Sequence, residues 1–319
     1  MRLAIAAGGT GGHIFPAVAL IEGLLARKDS AALVFGRSTG MERNILGNRH
    51  DIEYVGLQIR PFLRSRLTVW PIALAELVQS VFFACRTLRQ WKPDAVLGMG
   101  GYVSAPVVMA ALLTRLPVAV ADQNALPGRA NRFLGRFATR VFCGCEESLP
   151  FFSKRKRRLT GIPLRVGATM ACERPPFETF GLKQGLFTLL VFGGSQGALA
   201  LCEAVRQMLP VLDQHGVPYQ ILLQVGARNS EWIENAQMPN HVKTVEMIED
   251  MSAAYACADA VVCRAGAVSL AEMAVQGKPA ILIPYPFAKD DHQTKNAKAW
   301  GDVGAARVIE QSLLTPESL

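Results

Sequence analysis

The sequence predicts an α/β protein made of two Rossmann-like, doubly wound domains facing a cleft. Three observations predict it. Short, continuous apolar runs alternate with helical patterns, as the strands of a parallel sheet covered on both faces require. The order strand, glycine-rich turn, helix begins at Leu3 and begins again at Leu186. At 319 residues the chain exceeds what a single hydrophobic core usually organises, so two domains are expected.

In the first half, Leu3 to Ala7 reads as a strand, the glycine turn comes next, and Pro16 to Ala26 carries a helical pattern. Ala32 to Phe35, Ala95 to Gly98 and Val118 to Val120 are further buried strands, separated by helical segments and proline breaks. The pattern restarts with strand Leu186 to Phe192 and helix Ala198 to Leu209. Strands Tyr219 to Val225, Ala260 to Cys263 and Ala280 to Ile283 complete it. The interval from Phe151 to Gly181 lacks periodicity and contains Pro163, Pro175 and Pro176. The boundary is therefore expected near Thr160 to Val166, giving domains over 1–160 and 161–319.

Composition narrows the function. Half the residues are hydrophobic and 19% are charged, which is globular and not disordered. No basic, apolar and small-residue leader opens the chain, and the apolar stretch Val69 to Cys85, interrupted by Pro71, Glu76 and Gln79, reads as too broken to span a bilayer. Seven cysteines at irregular spacing, including the C-x-C pair Cys143 and Cys145, match neither a disulfide framework nor a zinc or redox motif. A reducing, cytosolic compartment is expected. The net charge of +8 is uneven: residues 1–160 hold 22 Lys/Arg and 10 Asp/Glu, and the second half is net acidic. The basic half should favour an anionic partner.

The chemistry-bearing motifs sit at strand ends. Gly8-Gly9-Thr10-Gly11-Gly12-His13 and Gly193-Gly194-Ser195-Gln196-Gly197 each join the first strand of a half to its helix. Glycines there let backbone N–H groups close on a ligand, and a helix N-terminus adds partial positive charge, so phosphate is expected over tight packing alone. Neither loop has Walker A or G-x-G-x-x-G spacing, which disfavours ATP-type and NAD readings. Arg264 to Glu272 forms a third turn and helix start, with Ala267 to Ser269 offering free N–H groups. Glu272, one turn further in, is either a ligand for a vicinal diol such as ribose or a glutamate serving the helix dipole. Gln293 and Asn296, beyond Pro284-Tyr285-Pro286-Phe287, suit sugar hydroxyls or a solvated helix start.

Taken together, GGTGGH at 8–13, GMGGYVSAP at 98–106, DQNALPG at 122–128, GGSQGA at 193–198 and the block from Cys263 to Ala297 resemble the MurG family. That family transfers N-acetylglucosamine from UDP-GlcNAc to lipid I, forming lipid II in peptidoglycan synthesis. The resemblance covers nearly the whole chain and implies the GT-B fold, with acceptor binding in the first domain and UDP-sugar binding in the second. It implies that Thr10, Asn124, Arg165, Ser195, Ile248, Ala267, Val268, Ser269, Leu270, Ala271, Glu272 and Gln293 line the donor site. Gln196 and Gly197 join Ser195 at the UDP diphosphate. Gly11 and Gly12 complete the substrate-binding set beside the acceptor diphosphate and the reaction centre. Ile248 would hold uracil through its backbone and Glu272 the ribose.

Displacement with inversion needs a base for the acceptor hydroxyl, and His13, expected to stand exposed at the loop tip, is the candidate. Its alternative role is a hydrogen bond to the helix start. No D-x-D motif occurs, so helix N-termini and Arg165, with no metal or cofactor, would stabilise departing UDP. A lipid acceptor implies a peripheral protein on the cytoplasmic face of the bacterial inner membrane. Arg60, Arg64, Arg66, Arg86, Arg89 and Lys92, interspersed with Phe62, Leu63, Leu67, Trp70, Ile72, Leu74, Leu77, Phe82 and Phe83, would suit an anionic bilayer surface. The alternative is a buried amphipathic helix. Lys154 to Arg158 could join that face or form a solvated loop; without interleaved aromatic residues it does not suggest nucleic acid.

Three departures from the family pattern stand out. Ala121-Asp122-Gln123-Asn124 replaces His-Glu-Gln-Asn, Ile162 replaces an asparagine, and the sequence stops at Leu319, short of the helix that crosses back to the first domain. The competing readings are another GT-B transferase, a UDP-sugar epimerase, a non-catalytic UDP-sugar-binding subunit and, more distantly, an NAD-linked oxidoreductase.

Overall fold

The computed structural model describes residues 1–60, 70–165, 175–194 and 197–319. The chain divides into two compact units, Met1–Arg165 and Val166–Leu319.

The first unit is a seven-stranded parallel sheet of β1 (Arg2–Ala6), β2 (Ala31–Arg37), β3 (Glu53–Leu57), β4 (Ala95–Gly98), β5 (Val118–Asp122), β6 (Arg140–Cys143) and β7 (Arg157–Leu159), ordered β3-β2-β1-β4-β5-β6-β7. Strand alternation divides its apolar residues between two layers. Ala4, Ala6, Leu33 and Phe35 pack on one face, against helix α3 (Trp70–Trp91) and helix α4 (Gly101–Leu113). Ile5, Ala7, Ala32 and Val34 pack on the other, against helix α1 (Gly11–Leu25) and Leu46 of helix α2 (Met41–Leu46). The central strands β1, β2, β4 and β5 are buried on both sides along most of their length, which is why these runs read as continuously apolar.

The second unit repeats the plan with β8 (Phe187–Phe192), β9 (Tyr219–Gln224), β10 (Val242–Val245), β11 (Ala260–Cys263), β12 (Ala280–Leu282) and β13 (Ala306–Val308), ordered β10-β9-β8-β11-β12-β13 and parallel throughout. Leu190, Phe192 and Leu222 fill one layer, and Val191, Ile221 and Leu223 the other. In both sheets the order reverses beside the first strand, between β1 and β4 and between β8 and β11. The carboxyl ends at such a reversal form the crevice where open α/β sheets bind ligands.

Two expectations about helices change. α1 begins at Gly11 and carries Pro16 inside it. A proline has no N–H to donate to the carbonyl four residues earlier, so the Gly12 carbonyl drops out of the helical ladder close to the helix start. The stretch expected to be too interrupted to span a bilayer forms one unbroken helix, Trp70–Trp91, whose length and apolar composition would suffice to cross one. Pro71 falls in its first turn, where no N–H is needed. Ala73, Val81, Ala84, Leu88 and Trp91 are nevertheless buried, and the last four belong to the core of the first unit, which holds the helix against the sheet.

Candidate functional site

At the reversal in the first unit, four segments converge. Ser104 Oγ, fully buried near the start of α4, shares its single proton between the carbonyls of Gly100 at 2.7 Å and Ala6 at 3.1 Å, and accepts from Gly100 N at 3.0 Å. It thus locks the end of β4 to the end of β1. Gly8 is buried so closely that an added Cβ would lie 2.8 Å from both Glu42 Oε1 and Val103 Cγ2. Thr10 is the extended N-cap residue of α1, and Gly11 and Gly12 open the helix, their N–H groups among those that a helix leaves unpaired internally.

His13 is the third residue of α1 and half-buried, not exposed at a loop tip. Its ring packs on the backbone of Gly100, where a Cβ would stand 2.9 Å from Cε1 and 3.0 Å from Nδ1. Gly100 has φ 105° and ψ −176°, a conformation essentially confined to glycine. Nδ1 of His13 lies 3.3 Å from Oε1 of Gln123, a residue 3% exposed whose Nε2 has no hydrogen-bond partner among the described residues.

Gln123 and Asn124 extend from β5 on a loop that Asp122 organises. One carboxylate oxygen accepts from Asn124 N at 3.1 Å; the other accepts from Gly128 N at 3.0 Å and Asn131 Nδ2 at 2.8 Å. Burial pushes the Asp122 carboxyl above its ordinary value, while these donors and His13 pull it back. The Ala121-Asp122 departure therefore builds a satisfied anchor. Ile162 and this loop both close on Gly144, where a Cβ would lie 2.8 Å from Ile162 Cγ1 and 3.0 Å from Gln123 Cα. Arg165, the last residue of this unit, stacks its guanidinium 4.7 Å from the centre of the Phe15 ring on α1.

In the second unit, Ser195 and Gln196 lie outside the described residues. Around them, Gln224 Nε2 holds the Gly194 carbonyl at 2.8 Å, and Gly197 N donates to Gly194 O at 2.8 Å. A side chain at Gly197 (φ 75°) would land on the Val225 carbonyl, so this turn needs glycine by crowding as well as by backbone conformation. The next helix, Leu199–Gln214, starts one residue beyond Ala198.

Beyond β11, helix Ala267–Gln276 starts with no side-chain cap and no acidic residue in its first turn. The N–H groups of Ala267, Val268 and Ser269 remain outside the helical ladder, while Leu270 N bonds Gly266 O at 3.0 Å. Glu272, sixth in the helix, is too deep to cap it. It is 6% exposed and accepts a hydrogen bond from the buried Tyr255 hydroxyl at 3.3 Å. Ile248 is buried in the same cluster as Tyr255, Ala265 and Leu270. Gln293 accepts from Tyr285 N at 3.0 Å, and Asn296 donates to Ala265 O at 3.2 Å. Both amides thus tie the strand-end loops together. Thr10, Gly11, Gly12, Asn124 and Arg165 stand in the other unit from the remaining donor-set residues.

Three further residues carry roles that sequence reasoning alone does not assign. Arg264 at the end of β11 is buried, donates to the carbonyls of Ile283 at 3.1 Å and Pro284 at 3.2 Å, and reaches Gln311 Oε1 at 2.6 Å. Burial lowers its pKa, though a guanidinium remains charged at any ordinary pH. Tyr255 orients Glu272, and Gln123 meets His13. A polar residue directly after an apolar strand is the signal that the sequence offers for Gln123 and Arg264; nothing in the sequence pairs Tyr255 with Glu272. No group of three or more metal-ligating side chains occurs among the described residues.

The N-terminal domain profile of glycosyltransferase family 28 matches residues 3–143, and its C-terminal domain profile matches residues 188–319. Relatives named UDP-N-acetylglucosamine–N-acetylmuramyl-(pentapeptide) pyrophosphoryl-undecaprenol N-acetylglucosamine transferase are 42% identical over the whole chain. They include those of Syntrophus aciditrophicus, of which 88% is covered, and Anaeromyxobacter dehalogenans, of which 82% is covered. Among solved structures, Acinetobacter baumannii MurG is 32% identical with a TM-score of 0.75, over 99% of this chain and 88% of that one. A UDP-GlcNAc 2-epimerase from Neisseria meningitidis, 14% identical with a TM-score of 0.68 over 98% of this chain and 88% of that one, shares the fold.

Proposed function

We infer that this chain, which belongs to the MurG family within glycosyltransferase family 28, transfers N-acetylglucosamine from UDP-GlcNAc to lipid I, forming lipid II. The observation that carries this reading is 42% identity, sustained over the full chain, to transferases named for that reaction. The likeness to the epimerase, at 14% identity, concerns the GT-B fold alone.

The geometry supports a division of labour. In the second unit, the helix N-terminus at Ala267 to Ser269 presents N–H groups beside the β8–β11 reversal, suited to the UDP diphosphate, and Gly197 belongs with them by motif. Ser195, Gln196, Leu270 and Ala271 join them by motif. Glu272, oriented by Tyr255, binds the ribose diol, Ile248 offers its backbone to uracil, and Gln293 meets the sugar hydroxyls. In the first unit, Gly11 and Gly12 stand beside the acceptor diphosphate and the reaction centre, Thr10 and Asn124 belong to the donor set, and His13 removes the acceptor hydroxyl's proton. The oxygen then attacks the anomeric carbon opposite the departing UDP, inverting the configuration, while Arg165 and the helix N-termini receive the charge.

A lipid acceptor calls for a membrane-associated face, and we assign it to α3. Leu74, Val78 and Phe82, spaced by four, leave an exposed apolar stripe with Phe82 73% exposed, beside Trp70, Ile72 and Phe83. Arg86, Arg89 and Lys92 follow at the C-terminal end of the same helix, suiting an anionic bilayer surface. Leu77 packs partly against the core, and Arg60, its side chain 48% exposed, pairs with Glu76 at 2.6 Å. Arg64, Arg66, Phe62, Leu63 and Leu67 lie outside the described residues. A second basic surface gathers Arg129, Arg132 and Arg136 around exposed Phe133. In the Lys154–Arg158 run, Arg157 and Arg158 instead enter edge strand β7, with Arg157 bonded to Leu149 O at 2.6 Å.

Turnover with a soluble lipid I analogue, comparing the parent with His13→Ala and Glu272→Ala, tests the reading. Loss of turnover in both variants supports it. Parent-level turnover in either refutes that residue's role.

A further inference from the structure

The geometry points to Gln123 as the positioning residue that holds His13 in the tautomer able to act as a base: Nδ1–H donates to Gln123 Oε1, and the lone pair resides on Nε2. The inference rests on the transferase reading for its consequence, but its central statement concerns one proton on one ring. Three observations carry it. Nδ1 and Oε1 are 3.3 Å apart, across 110 residues of sequence. The ring is pressed on Gly100, where no side chain fits, so Nδ1 is held toward its partner. Gln123 is buried on the loop that Asp122 fixes through Asn124 N, Gly128 N and Asn131 Nδ2.

Neutral imidazole carries one proton, and its partner decides which nitrogen has it. A carbonyl oxygen facing Nδ1 demands the proton there. The opposite amide orientation would place the proton on Nε2 and leave no base on that nitrogen. With Nδ1–H in place, the acceptor hydroxyl's proton passes to Nε2 as its oxygen bonds the anomeric carbon. UDP leaves with the electron pair of the broken C–O bond, and the resulting imidazolium still donates through Nδ1. Among the described residues, the buried Nε2 of Gln123 has no hydrogen-bond partner, which leaves it a donor available to a bound oxygen.

The test is ¹⁵N-correlated NMR of the imidazoles in the full chain, with His13 assigned by its absence in His13→Ala, alongside steady-state kinetics. The parent should show a protonated Nδ1 and an unprotonated Nε2. Gln123→Met keeps the volume and loses the acceptor, so it should lose that tautomer preference and lower kcat by about 10- to 100-fold with the KM for UDP-GlcNAc unchanged. Gln123→Glu retains an acceptor for Nδ1–H and should retain the tautomer and most of the rate. A parent spectrum with the proton on Nε2, or an unaltered tautomer in Gln123→Met, overturns the inference. If the parent transfers no sugar, the functional reading fails, while the spectra decide the Gln123 assignment independently.

Discussion

Replacing Gly100 with alanine tests whether the β1–β4 reversal is built around His13. The backbone there sits at φ 105° and ψ −176°, and imposing that conformation on alanine costs about 1–3 kcal/mol. The new Cβ would lie 2.9 Å from His13 Cε1 and 3.0 Å from both His13 Nδ1 and Asn131 Nδ2. All three are contacts that real Cβ atoms avoid, and relieving them by shifting the ring costs about 1–3 kcal/mol more. Gly100→Ala should therefore destabilise the protein by about 2–6 kcal/mol, a large share of a typical domain's margin. The same shift should lower kcat by about 100-fold, since displacement of a reacting group by about 1 Å has that effect. Urea unfolding followed by tryptophan fluorescence, with turnover measured below the transition, reads both quantities. Gly23→Ala is the control: nothing lies within 4 Å of its Cβ, it is inside α1, and it should be neutral or stabilising by up to about 1 kcal/mol. A Gly100→Ala protein as stable and active as Gly23→Ala would refute the reasoning.

Other perturbations separate the remaining contributions. Glu272→Gln can still accept from Tyr255, so stability should change by less than about 1 kcal/mol. Calorimetry should nevertheless show UDP-GlcNAc binding weakened about 10- to 100-fold, the loss expected for hydrogen bonds to a charged group; unchanged affinity would make Glu272 purely structural. Asp122 has a folded-state pKa raised by burial, so between the ordinary carboxylate value and that raised value the native state binds more protons than the unfolded state. Its contribution is greatest below that window and declines as pH rises through it. The stability difference between parent and Asp122→Asn, measured by urea melts from about pH 3.5 upward, near where ordinary carboxyl groups titrate, should fall with rising pH, and a difference that grows would contradict the assignment. Phe82→Glu should leave the melting temperature unchanged, because the side chain is 73% exposed. It should weaken sedimentation with phosphatidylglycerol vesicles by about tenfold or more, from the apolar area no longer transferred.

The elements legible in the sequence are those whose strands are buried on both faces. β1, β4, β8 and β11 announce themselves as apolar runs ending in glycine or arginine turns, because both sides of each strand meet a core. Edge strands do not: β3 carries Glu53, β7 is Arg157-Arg158-Leu159, and β13 contains Arg307, charges that protect an unpaired edge and erase the apolar signal. α3 looks interrupted in sequence because Gln79 is exposed and Glu76, its charge paired with Arg60, is largely covered, while the buried apolar stripe continues past both. At the site, residue types within a single turn are readable, as at Gly193 to Gly197. Contacts between distant segments are not: the approach of Gln123 to His13 and of Tyr255 to Glu272 depends on sheet order, which sequence spacing does not encode. Arg264 is visible as a residue but not as the buried clamp joining β11, the Ile283-Pro284 turn and Gln311.

The most direct test of the central claim is to incubate the purified chain with UDP-GlcNAc and a short-chain lipid I analogue, then determine by NMR the structure of the sugar product. The account predicts release of one UDP per N-acetylglucosamine joined to the acceptor, in a β linkage that inverts the donor's α configuration. Appearance of UDP-N-acetylmannosamine, or an unchanged acceptor in the presence of bound UDP-GlcNAc, would contradict it.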